Sequence, residues 1–170
     1  MTSMLTKFET ACFTGHRPKS LSYLFDESDE RYISLKKELK ETIIKAINSG
    51  ITHFILGMAE GIDLMAFELV EELKYKYPKI TTECAIPFWG QESRFSEQNK
   101  VKYIRYLKVA DKVTTLSQNY FNGCFQQRNK YMVDNSSLLI AVYNGNKSGG
   151  TASTIKLAKA KNLDVWLVKC

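Results

Sequence analysis

The chain has 170 residues, of which 44% are hydrophobic and 25% charged, with a net charge of +6. This composition excludes a disordered chain, and no apolar run approaches the roughly 20 residues that span a bilayer. The positive charge is diffuse, so it permits a phosphate-bearing partner without demanding one.

Strand-sized runs rich in β-branched and aromatic residues alternate with helical periods. FETACFTG, Phe8 to Gly15, is the first strand. Tyr32, Leu35, Leu39, Ile43 and Ile47 then share one helical face, and Gly50 stops that helix. Thr52 to Met58 is the second strand. A helix opening near Glu60 or Gly61 follows, with Ile62, Met65, Ala66, Leu69 and Leu73 on its apolar face and Pro78 beyond its end. Ile80 to Phe88 is the third strand, and Val101, Tyr103, Ile104, Leu107 and Lys108 mark the next helix. Lys112 to Ser117 is the fourth strand. A shorter helix that Arg128 opens holds Tyr131 to Val133. Ser137 to Asn144, a helix from Gly150 or Thr151 to about Lys161, and Asp164 to Lys169 complete the pattern.

This alternation predicts an α/β fold with a mainly parallel sheet and helices on both faces. No internal repeat, low-complexity tract or linker interrupts it, so a single domain over residues 1–170 is expected. The N-terminal MTSMLTKFETACF lacks the build of a signal peptide, which predicts a cytoplasmic protein. Cys12, Cys84, Cys124 and Cys170 are widely spaced, with no C-x-x-C pair, so no metal site is expected. Cys12 and Cys84 sit in apolar strands, where a free thiol acts as a small hydrophobe in a reducing compartment.

In a parallel sheet, ligands bind beyond the carboxyl ends of the strands. The segments that follow the strands are therefore the candidate site. Gly15, His16 and Arg17 follow the first strand. Gly57, Ala59, Gly61 and Asp63 follow the second, and Phe88 and Trp89 close the third. Tyr120, Phe121, Gln126, Arg128 and Asn129 follow the fourth, and Gly149, Gly150 and Thr151 the fifth.

Each has a structural and a functional role open to it. The second-loop helix start favours an anion, but Asp63 in its first turn either neutralises the helix dipole or hydrogen-bonds a sugar. That carboxylate repels a phosphate, which moves the phosphate to Gly149, Gly150 and Thr151. There Thr151 caps the helix or binds a phosphate oxygen. Neither G-x-G-x-x-G nor a P-loop is present. Arg17 at a strand end suits a phosphate, Arg128 either reaches the same rim or makes a surface ion pair, and Phe88 and Trp89 either cover the core or stack on a base. His16 falls on the rim, whereas His53 begins the second strand and is assigned no role. The long polar segment from Pro18 to Asp29 suggests a lid.

Taken in order, CFTGHRP, GMAEGIDLMAFE, AIPFWGQ, QQRNKYMVDNSSLLIAVYNG and GGTASTIKLAKAKN resemble the YpsA-like proteins of the SLOG superfamily. That superfamily joins the DprA/Smf DNA-processing proteins with the LOG nucleotide hydrolases. The resemblance implies a Rossmann-like fold whose rim binds a nucleotide or nucleotide-derived ligand. It carries Gly15, His16, Arg17, Gly57, Ala59, Gly61, Asp63, Arg128, Asn129, Gly149, Gly150 and Thr151 onto that rim. DprA-like relatives imply single-stranded DNA as an alternative partner, and LOG-like relatives imply N-glycosidic cleavage. LOG enzymes place a Glu after their glycine turn, but no acidic residue occurs here between Gly149 and Asn162. A sensor or regulatory module is therefore expected ahead of a nucleotide-processing enzyme. The sequence leaves any cofactor, and oligomer formation, open.

Overall fold

The structure is a computed structural model and describes residues 6–170; residues 1–5 of the N-terminal stretch lie outside the described residues. Six strands form one all-parallel sheet: β1 (Thr10–Thr14), β2 (His53–Leu56), β3 (Thr81–Ile86), β4 (Lys112–Thr115), β5 (Leu138–Tyr143) and β6 (Asp164–Lys169). Five helices connect them: α1 (Glu30–Asn48), α2 (Ile62–Leu73), α3 (Glu97–Val109), α4 (Cys124–Asp134) and α5 (Gly150–Ala160). The fold is α/β and Rossmann-like. The strands are shorter than their apolar runs: Lys7–Glu9 forms a 3-10 turn, and the glycine-bearing strand ends belong to loops.

Spatial order is β4-β3-β2-β1-β5-β6. β1 is flanked on one side by β2 and on the other by β5, in registers Thr10↔His53 and Ala11↔Leu138. The period of two along each strand divides the core. Ala11 and Phe13 of β1, with Leu138, Ile140 and Val142 of β5, pack in the layer that holds α1, α2 and α3. Cys12, Leu139 and Ala141 point the other way, into the layer of α4 and α5. Chain direction across the sheet therefore reverses between β1 and β5, and the covering helices change face there.

Local signals set the helix ends. Asp29 caps α1 by accepting from Arg31 N–H at 2.8 Å, and Ser96 caps α3 by accepting from Asn99 N–H. α4 corrects the sequence expectation. It opens at Cys124, behind Gly123, and Arg128 lies in its middle rather than at its start. Cys124, Arg128 and Met132 share its buried face at helical spacing, so a charged residue broke the apolar period that reveals a helix. Among the described residues, no helix is long and apolar enough to cross a membrane.

α2 approaches the end of β1 so closely that a Cβ on Gly15 would lie 2.5 Å from Ile62 Cγ2. This contact fixes where the second loop meets the first. Gly15→Ala should destabilise the fold by about 1–3 kcal/mol through overpacking, read by urea titration. An unchanged midpoint would mean that α2 stands further from β1.

Candidate functional site

The reversal between β1 and β5 opens a crevice beyond their carboxyl ends, because their outgoing loops leave toward opposite faces. A cleft of about 510 Å³ fills it. Gly15, His16, Arg17, Ala59, Asp63, Arg128, Asn129, Gly149, Gly150 and Thr151 all line this cleft. A second hollow of about 510 Å³ adjoins it and shares Arg17, Ala59 and Phe125 with it. Phe88 lines that hollow with Tyr120 and Phe125, and the three rings contact edge to face. Trp89 stands apart. It is 73% exposed and borders a separate depression with Thr115 to Asn119.

The two helix starts at the rim differ. At α2 the Ile62 N–H donates to the His16 carbonyl, and the Asp63 carboxylate accepts from Ala59 N–H at 3.0 Å. Gly61 makes this closure fit: its φ is +106°, and a Cβ would lie 2.8 Å from His16 O. The α2 end is thus occupied by the chain itself, with the dipole-neutralising carboxylate in place. At α5 the N-cap is Gly149, with no side-chain cap. Thr151 does not cap this helix. It lies within the first turn, is 6% exposed, and its hydroxyl has no hydrogen-bond partner among the described residues. The loop before it is organised by its own amides. Asn144 Oδ1 accepts from Asn146 N–H, and Asn146 Oδ1 accepts from Ser148 N–H.

The glycines separate in the same way. Gly57 is small because Arg128 lies against it: a Cβ would sit 2.7 Å from Nη1. Arg128 Nη1 donates to Gly57 O at 2.6 Å and Nε donates to Asn129 Oδ1 at 2.8 Å. Gly150 differs from both Gly15 and Gly57, because a Cβ there would meet nothing within 4 Å.

Arg128 and Asp63 are both buried in the cleft wall. Burial pushes the Asp63 carboxyl above its ordinary range, opposed in part by Arg128, the Ala59 N–H and Arg17. Burial lowers the Arg128 guanidinium, with Asp63 opposing. An arginine keeps its proton in a protein, so Arg128 remains a cation in the cleft wall.

Sequence reasoning missed Phe125 and Gln91. Phe125 lies beneath both guanidiniums, 5.1 Å from Arg17 Cζ and 5.7 Å from Arg128 Cζ. Its signal was hidden with that of α4. Gln91 is buried and donates to the carbonyls of Gly57 and Met58, a contact no local pattern announces. Glu60 lines the adjoining hollow, where its Oε2 accepts from Ser96 N–H and Asn99 Nδ2. Of the proposed lid, only Lys19 and Ser20 line the cleft, while Tyr23 and Leu24 pack on the core.

An all-parallel sheet whose strand order reverses beside an uncapped, glycine-opened helix defines a doubly wound α/β protein with a rim cleft. The chain belongs to the YspA SLOG family, whose model, YpsA, matches residues 11–169. A UPF0398 protein of Staphylococcus haemolyticus is 28% identical over 143 residues, which are 83% of this chain and 76% of that protein. UPF0398 protein YpsA of Bacillus subtilis is 28% identical over 138 residues, covering 80% of this chain and 76% of its own. DNA processing protein A from Helicobacter pylori, solved for its single-stranded DNA binding mode, is similar in fold, with a TM-score of 0.58 and 20% identity. The match covers 95% of this chain but 65% of that one.

His16 ties the two walls of the cleft. Its Nε2 accepts from Asn144 N–H at 3.2 Å, and its ring stacks near Tyr143. That bond needs the neutral ring with its proton on Nδ1. Burial lowers its pKa below the ordinary 6.5. The unfolded chain then takes up the proton first as pH falls. The tie therefore contributes fully above about 6.5 and weakens as pH drops from there through the folded value. The ring should titrate below 6.5 by NMR, and His16→Gln should flatten the fall in melting temperature between about pH 7 and pH 5. An ordinary midpoint would remove this role.

Proposed function

We propose that the cleft binds a nucleotide or a nucleotide-derived ligand, and that the protein acts as a sensor or regulatory module. Gly150 carries the reading. Neither backbone conformation nor a neighbouring atom requires glycine there, yet the residue opens α5 at the floor of the cleft. A missing side chain at an uncapped helix N-terminus suits the close approach of a phosphate. The Thr151 hydroxyl beside it has no hydrogen-bond partner among the described residues, and in the cleft lining it supplies a further donor. The base then lies in the hollow of Phe88, Tyr120 and Phe125, within reach of the same cleft. Asp63 is the one carboxylate lining the cleft among the described residues, and one of its oxygens is engaged by Ala59. No second carboxylate lines the cleft among the described residues, which supports binding ahead of turnover.

Single-stranded DNA is the second reading. Tyr120 lines the aromatic hollow and is exposed, as are Trp89 and Phe121, and stacking of bases on such rings is sequence-tolerant. The fold neighbour solved for its single-stranded DNA binding mode supports it by analogy alone.

Thermal shift with nucleoside mono-, di- and triphosphates and with short single-stranded DNA, each at two salt concentrations, separates the readings. A nucleotide should raise the melting temperature at both salts without release of free base. A shift with DNA alone, lost at higher salt, would replace the first reading with the second. Gly150→Ala should leave stability unchanged or slightly raised, since a Cβ there meets no neighbouring atom. Gly150→Val should weaken the nucleotide by about tenfold or more while the fold persists. Equal loss of folding and binding would return Gly150 to a packing role.

A further inference from the structure

The waist between the two hollows is cationic. Arg17 and Arg128 both face Phe125, yet neither makes a direct ion pair among the described residues. Arg128 is 5% exposed, and its hydrogen bonds go only to neutral acceptors, the Gly57 carbonyl and the Asn129 amide. Its Nη2 has no partner among the described residues, and the side chain lines the cleft. Asp63 is near enough to influence both charges but closes an ion pair with neither. The two guanidiniums repel each other, and Asp63 offsets the buried Arg128 charge only in part.

The waist also has a definite place along the site. Phe88 and Tyr120 line only the aromatic hollow, and Gly149, Gly150 and Thr151 line only the cleft. Arg17 belongs to both. A nucleoside monophosphate stretched from the rings to α5 would lay a neutral ribose across the two guanidiniums. A ligand with an additional phosphoryl group would instead place negative charge there, in a geometry arginine forks suit.

We propose that this site takes a nucleoside diphosphate unit, with one phosphoryl group held between Arg17 and Arg128 and the other at the α5 N-terminus. The proposal rests on the nucleotide-site reading above and specifies its ligand class. The α5 group meets the backbone at Gly150 and the hydroxyl of Thr151. The waist group meets Arg17 and the free Nη2 of Arg128.

Isothermal titration of the whole protein with AMP, ADP, GMP and GDP tests this, using wild type, Arg17→Gln and Gly150→Val. Arg17 is exposed, so Arg17→Gln should keep the wild-type melting temperature. Each diphosphate should bind wild type about tenfold or more tightly than its monophosphate. Arg17→Gln should lower diphosphate affinity by about tenfold and monophosphate affinity much less, so that the two converge. Gly150→Val should weaken both classes together. Equal mono- and diphosphate affinities in wild type, or a preference that survives Arg17→Gln, would overturn the diphosphate proposal and leave the nucleotide site standing. Absence of binding by all four nucleotides would overturn the site reading itself, and this proposal with it.

Discussion

A guanidinium buried without a direct counter-ion organises the rim of this protein. Arg128 reaches from the middle of α4 to the carbonyl of Gly57, at the end of β2. Gln91, from the segment after β3, donates to that same carbonyl and to the next, at Met58. Three separate connections therefore converge on one peptide. Met58 is left-handed at φ +59°, a conformation that costs a non-glycine residue about 1–2 kcal/mol, and these two amide bonds help to hold it. Gly57 has no Cβ because the guanidinium occupies that space. Replacing hydration around a buried cation requires well-placed acceptors, and much of the second loop is shaped to supply them.

The polar groups at the two ends of the sheet contrast. At the amino end, His53 contacts Thr81 through Nδ1 and Glu83 through Nε2, and Glu83 also accepts from Thr114 and Tyr131. That network is buried and closed on itself, and such networks lend a core rigidity. At the carboxyl end, a helix N-terminus, a threonine hydroxyl and an arginine Nη2 stand without protein partners among the described residues. The His53–Glu83 cluster satisfies its polar atoms internally, although Ser136 Oγ, buried at the same end, has no partner among the described residues. The carboxyl end directs its unpartnered groups into a shared space.

The two helix starts at the rim show how the fold selects between similar features. Both follow a strand and a glycine, and both carry the positive end of a helix dipole. The first loop covers α2 through the His16 carbonyl, and Asp63 completes that closure. α5 is reached by an exposed loop that folds on its own asparagines and leaves the end clear. Of the two helix starts, α5 is thereby the one left open to the cleft. Family membership agrees with this architecture, while the likeness to the Helicobacter pylori protein is one of fold.

The alternation of strands and helices was legible in the sequence, because apolar residues at periods of two and of 3.6 are imposed by burial on one face. So was the gathering of most candidate residues at one rim, Trp89 excepted, since a parallel sheet brings the segments after its strands to one end. The start of α4 was not legible: Arg128 occupies an inward position where the pattern leads one to expect a hydrophobe, and Phe125 went unnoticed with it. Nor could sequence separate the glycines. Gly15 and Gly57 yield to Ile62 and to Arg128, residues 47 and 71 positions away, while Gly150 yields to no protein atom. The strand order was likewise decided by tertiary structure. Backbone hydrogen bonding pairs any two strands of suitable length, so only the packing of helices on both faces placed β5 beside β1 and opened the cleft there. The local chain determined which groups were available for a site; the fold determined which of them remained unpartnered.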